Sequence, residues 1–139
     1  MKKTEWYKNR ILWRAGKLHL EDYAWSNFVL SKKQCAKEIL EATAGHGAPL
    51  YVFFLNDYVW TVLTDQYLVG RLDEVLSSVS LDELGEVVTV NNKILPPNEL
   101  KIHANIIRAG RDKSEFWTPA GNAHFSLRNI LGMFPLTVP

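Results

Sequence analysis

Tyr51-Val52-Phe53-Phe54-Leu55-Asn56-Asp57-Tyr58-Val59-Trp60-Thr61-Val62-Leu63-Thr64-Asp65-Gln66-Tyr67-Leu68-Val69 is the stretch whose reading decides the fold. Residues 51–55 and 58–63 are dense in aromatic and β-branched side chains, which suit a pleated surface. Between them Asn56-Asp57 offers a two-residue loop, and both residue types tolerate positive φ, so a tight hairpin is expected. Thr64-Asp65 reads as a second turn and residues 66–72 as a third strand. Residues 51–55 are apolar at every position, so both faces of that strand are expected to be covered. In an antiparallel meander this means sheet on one side and helix on the other, or a rolled barrel.

Downstream, residues 75–84 read as a short strand passing into a Leu81-Asp82-Glu83-Leu84 turn, and residues 86–90 as another strand. Residues 91–98, with Pro96-Pro97, read as a loop. Leu100, Ile102, Ala104 and Ile106 then alternate with Lys101, His103 and Asn105, the period of a half-exposed strand. A turn at 109–113 around Gly110 leads to a strand at 114–118. The chain closes in a helix that Asn122 is expected to cap, with an apolar stripe of Leu127, Ile130, Leu131 and Phe134, stopped by Pro135.

Upstream, residues 31–44 read as one helix. Ser31 and Gln34 fit a capping box, Cys35, Ala36, Ile39, Leu40 and Thr43 make its stripe, and Gly45 ends it. Residues 1–30 admit two readings. Trp6, Tyr7, Ile11 and Trp13 suit a helix, while 11–13 and 18–20 around Ala15-Gly16 suit two short strands. We read the segment as a helical cap. The expected architecture is α+β, one domain over 1–139. Its cap is 1–48, and 49–134 holds six or seven antiparallel strands, rolled into a barrel or packed as two sheets, plus the closing helix.

Composition fits a globular chain, with 47% apolar and 22% charged residues over 139 positions. There is no apolar run of the ~20 residues that a membrane helix needs. The basic N-terminus lacks the apolar stretch and cleavage site of a signal peptide. Cys35 is the sole cysteine, which fits a reducing compartment, and the expected location is cytoplasmic. Charge is segregated. Residues 1–37 carry nine Lys/Arg against three acids, residues 38–100 two against ten, and residues 101–139 five against two. An acidic middle argues against nucleic-acid binding.

The layout resembles the bacterial pleckstrin-homology-like (PH-like) domains over residues 50–134. The resemblance rests on three pieces: the meander Val59-Trp60-Thr61-Val62-Leu63-Thr64-Asp65-Gln66-Tyr67-Leu68-Val69, the step Val79-Ser80-Leu81-Asp82-Glu83-Leu84, and the closing helix. The N-terminal 48 residues depart from that pattern as an added cap. The resemblance implies a binding scaffold rather than an enzyme.

No phosphate loop, nucleophile elbow or metal-ligand spacing is present, and no cofactor is expected. Cys35, early in a helix beside Lys32 and Lys33, is the one candidate nucleophile, with His103 as its base. Burial in the stripe of Ile39 is the competing reading for Cys35. His19, His46, His103 and His124 lie at no ligand spacing. Lys3, Arg10, Arg14 and Lys17, flanked by aromatics, invite a membrane reading, but without the two clean faces of an interfacial helix.

Asp57, Asp65, Asp73, Glu74, Asp82, Glu83 and Glu86 fall at turns and strand ends, so several are expected to share one rim. Such a rim steers a basic protein partner. The expected function is a non-catalytic protein-binding module, in concrete form a bacterial immunity-type protein covering a basic toxin. The alternatives are a peripheral lipid-binding PH-like domain and a thiol enzyme using Cys35.

Overall fold

The structure is a computed structural model that describes residues 2–90 and 104–139. It is α+β, with an antiparallel five-stranded sheet, a three-stranded sheet and a C-terminal helix.

The N-terminus resolves as helix α1, Lys3–Lys17. Tyr7, Ile11 and Ala15 are buried at a spacing of four while Asn9 and Trp13 between them are exposed, a periodicity of a helix and not of a strand, which would put all five on one face. Glu5 in the first turn and Arg14 and Lys17 in the last oppose the helix dipole correctly. A short 3₁₀ turn, Leu20–Asp22, and strand β1, Trp25–Ser26, follow.

The helix expected at 31–44 begins only at Ala36, as α3 (Ala36–Thr43), and a separate short helix, α2 (Asn27–Leu30), precedes it. Ser26, not Ser31, supplies a cap, its Oγ accepting from Val29 N at 3.3 Å. Ser31 donates its hydroxyl back to Phe28 O at 2.6 Å, so its side chain belongs to the turn that ends α2. Cys35 holds the N-cap position of α3 without a side-chain hydrogen bond. Gly45, at φ 79°, follows the end of α3 as expected of a helix-terminating glycine.

Strands β2 (Pro49–Asn56), β3 (Val59–Thr64), β4 (Tyr67–Leu72) and β5 (Val75–Ser80) run as an antiparallel meander, with β1 added beside β2. Two turns sit one residue later than expected. Asn56 remains in β2 and its Oδ1 accepts from Tyr58 N at 2.8 Å, so a side chain closes this turn without positive φ. Thr64 remains in β3, its Oγ1 accepting from Tyr67 N at 2.8 Å and donating to His46 O at 2.6 Å. After β5 come a 3₁₀ turn, Leu81–Glu83, and strands β6 (Val88–Val90), β7 (Ile106–Ala109) and β8 (Ser114–Trp117). Of the strand expected from Leu100, residues 100–103 lie outside the described residues, as does the loop with Pro96-Pro97. Helix α4 spans Asn122–Leu131. Gly121 takes its N-cap position at φ 86°, and Asn122 instead donates from Nδ2 to Tyr23 Oη at 3.1 Å.

Alternate residues of the five-stranded sheet enter two different cores. Tyr51, Phe53, Leu63, Leu68 and Val79 face α1, α4 and the second sheet; Val52, Trp60, Val62 and Val69 face α2 and α3. Both faces of β2 are therefore covered, which explains its uninterrupted apolar run. The first 48 residues do not sit as one cap: α1 packs on one face of the sheet and α2 with α3 on the other. The two sheets meet where Gly70 of β4 lies under Phe116 of β8 and Thr61 Oγ1 donates to Trp117 O at 2.5 Å. No strand pairing among the described residues joins the sheets into a closed barrel.

Candidate docking surface

An antiparallel meander sends alternate turns to opposite ends, and this divides the seven acids. Asp57 lies in the β2–β3 turn and Asp73-Glu74 in the β4–β5 turn. The pairs Asn56–Val59 and Leu72–Val75 put those turns at one end of the sheet. Asp65, Asp82 and Glu83 lie at the other end, where Asp65 and Asp82 line a small cavity of about 120 Å³ with Lys3, Tyr7 and Tyr67. Glu86 is exposed in the segment leading to β6. The seven do not share one rim.

At the second end Asp82 and Asp65 are engaged within the chain, and Glu83 is exposed. Asp82 pairs with Lys3 and accepts from the Tyr7 hydroxyl. Burial pushes the Asp82 carboxyl up, but the Lys3 and Tyr7 hydrogen bonds outweigh it and the net shift is downward. Asp65 Oδ1 accepts from Ala48 N at 3.0 Å while Asp65 N donates to Ala48 O at 3.2 Å, a reciprocal clasp on the loop before β2. Gly47 makes that clasp possible: a Cβ there would lie 2.8 Å from Thr64 Oγ1, and its φ is +93°.

At the first end Asp57, Asp73 and Glu74 are exposed, and large apolar side chains are exposed with them: Leu55, Tyr58, Val75 and Leu76 at 56%, 61%, 63% and 56%. A β-bulge produces part of this. Phe54 pairs with Trp60 and Asn56 with Val59, so Leu55 is the extra residue. Arg71 joins the two turns: its guanidinium lies 4.8 Å from the Tyr58 ring, its Nε donates to Asp73 O at 2.9 Å, and it pairs across the ladder with Leu76. Sequence reading named the acids here but not Leu55, Tyr58, Val75 and Leu76. The adjacent apolar pair Val75-Leu76, which no two-faced alternation can bury on one side, was the available signal.

Cys35 is half-buried against the α2–α3 core. Burial pushes its thiol up; Asp57 and Glu38 add to this, against a backbone hydrogen bond and Lys33. Desolvation thus outweighs the helix-end and lysine effects expected from sequence. His103 lies outside the described residues. His46 sits in the loop after α3, as expected, with its Nδ1 3.1 Å from Ala44 O. His124 is fully buried between Thr89 Oγ1 and Thr118 Oγ1, each 2.9 Å from a ring nitrogen. Burial and the nearby Arg128 charge lower its pKa to about 4. Among the described residues no three His, Cys, Asp or Glu side chains are placed to hold a metal ion, and no helix is long and apolar enough to cross a membrane. No family model, curated protein or solved structure matches the chain.

Proposed function

We propose that this protein is a non-catalytic protein-binding module that docks a basic partner on the hairpin end of its five-stranded sheet. The observation that carries this is the exposure of Leu55, Tyr58, Val75 and Leu76 beside Asp57, Asp73 and Glu74. Clustered exposed apolar side chains rimmed by charge are the ordinary composition of an interface. The acids give the encounter its sign, and the aromatic and aliphatic groups give it area. An immunity-type role, covering the active site of a basic toxin on a PH-like scaffold, is the concrete form of this reading. The test is capture from the source cell with wild type and with the triple variant Asp57→Asn, Asp73→Asn, Glu74→Gln, followed by association kinetics on the captured basic protein. A slower on-rate and a flatter salt dependence in the triple variant are expected. Unchanged kinetics at low salt would refute the reading.

One feature supports a second reading, peripheral binding to anionic lipid. Trp13 of α1 is half-exposed, with Arg10 at 4.5 Å and Lys17 at 5.6 Å from its ring, and Leu12 is exposed next to it. Aromatic and cationic groups together suit a headgroup boundary. Co-sedimentation with phosphatidylserine vesicles, lost in Trp13→Ala, is the expected result of that reading; no pelleting removes it.

A further inference from the structure

The edge strands of this molecule are unequal. β1, β6 and β8 have two, three and four residues, whereas β5 has six. Proteins blunt an open sheet edge with a short strand, a proline, a charged residue or a bulge. β5 uses none of these. Its sequence, Val75-Leu76-Ser77-Ser78-Val79-Ser80, is uncharged, and it pairs with β4 without a register break. Among the described residues no strand pairs with its outer side.

The phase of the ladder says which groups face out. Leu81 N donates to Gln66 O at 2.9 Å, one step beyond the Tyr67–Ser80 pair. Hydrogen-bonded pairs alternate along an antiparallel ladder, so Val75, Ser77 and Val79 bond to β4. The amides and carbonyls of Leu76, Ser78 and Ser80 therefore point away from the sheet. On one side of that line lies a groove of about 300 Å³, lined by Leu72, Val75 and Ser77 and by Asp112, Lys113 and Glu115 of the β7–β8 turn region. On the other side Leu76 and Ser78 are exposed, because the core under α2 and α3 extends only as far as Val69 of β4.

Resting on the reading of this end as a docking surface, we infer that β5 takes up an extended segment of the partner protein as a sixth strand. That segment is apolar at alternate positions, to fill the groove, and carries a Lys or Arg that reaches the Asp73-Glu74 turn. Strand addition draws its affinity from main-chain hydrogen bonds and its specificity from alternate side chains. A second copy of this chain suits the edge less well. Antiparallel pairing of β5 with itself, centred on the outward-facing Ser78, lays Asp73 beside Glu83 of the other copy, and like charges opposed across a ladder are destabilising. A basic end on the incoming strand has the opposite effect.

The experiment titrates the full chain with a synthetic eight-residue peptide of alternating valine and threonine with a lysine at each end. The control peptide carries glutamate at each end. Amide hydrogen exchange at Leu76 and Ser78 is expected to slow by about tenfold or more at saturation, with Ser77 and Val79 little changed. The glutamate peptide is expected to bind about tenfold or more weakly. Ser78→Pro removes an outward amide but no bond to β4, and it abolishes the protection; where that variant does not fold, Leu76→Lys, a charged edge residue, replaces it. Peptide binding that leaves Leu76 and Ser78 exchanging freely overturns strand addition, and so does a peptide that does not bind. If such binding is also weakened by neutralising Asp57, Asp73 and Glu74, the docking surface itself stands. Protection that survives neutralisation at full strength keeps the strand and overturns the acidic docking reading.

Discussion

His124 makes the stability of this fold sensitive to acid in a range where few groups titrate. The imidazole has no solvent exposure, both ring nitrogens face threonine hydroxyls, and its pKa falls from the ordinary 6.5 to about 4. A group whose folded pKa is depressed is bound by protons more readily in the unfolded chain. The stability it leaves intact above the unfolded value is therefore lost as pH falls from 6.5 toward 4. The full difference is worth about 3 kcal/mol, and about 2 kcal/mol of it is spent between pH 7 and pH 5. For a chain of this size that corresponds to a drop in Tm of roughly 5–10 °C. Urea or thermal denaturation at pH 7, 6 and 5 measures the slope, with His124→Gln as the comparison. The variant is expected to be less stable at pH 7, since it disturbs a packed polar site, yet nearly flat across the interval. The Asp82 carboxyl, shifted downward, titrates below this window. A variant that loses as much stability as wild type between pH 7 and pH 5 would refute the assignment.

Two further outcomes test the packing. Gly70→Ala places a Cβ 2.8 Å from Phe116 Cδ1 and 3.2 Å from Trp60 O, so chemical denaturation is expected to show a loss of about 1–3 kcal/mol from forcing the two sheets apart. Cys35 is expected to react with iodoacetamide at pH 7.5 more slowly in the folded protein than in urea, because burial holds the thiol protonated; faster reaction in the folded state would revive the thiol-enzyme reading.

Much of the fold was legible because local chemistry and tertiary packing agree. Residues 51–55, apolar at every position, called for cover on both faces, and of the two arrangements expected the structure supplies a sheet on one side and helices on the other. Errors arose where one side chain chose between two nearby partners. Ser31 has the sequence of an N-cap, but the Phe28 carbonyl lies within reach and takes its hydroxyl, and the expected helix starts only at Ala36. Asn122 likewise binds Tyr23 across 99 positions, a contact no local pattern encodes. The acidic residues were readable as turn residues, but their distribution between two ends depends on counting the turns of the meander. That Asp82 is neutralised depends on Lys3 and Tyr7, which reach it from α1. The exposed apolar group escaped notice because Leu55 owes its position to a bulge and Leu76 to how far α2 and α3 extend.

The seat of Tyr7 has a consequence for how the chain is made. Its ring packs edge-on against Phe134 at 4.8 Å, and its hydroxyl lies 3.3 Å from Leu136 N, 129 positions along the chain. Helix α1 leaves a ribosome well before the C-terminal residues it packs against, and is thus among the last elements to find its place. At roughly 5–20 residues per second, α1 waits on the order of ten seconds with its stripe unburied. During that interval Trp6, Tyr7 and Ile11 are open to chaperones, and substitutions that raise the helix's own apolarity would act on yield in the cell before they act on the stability of the finished fold.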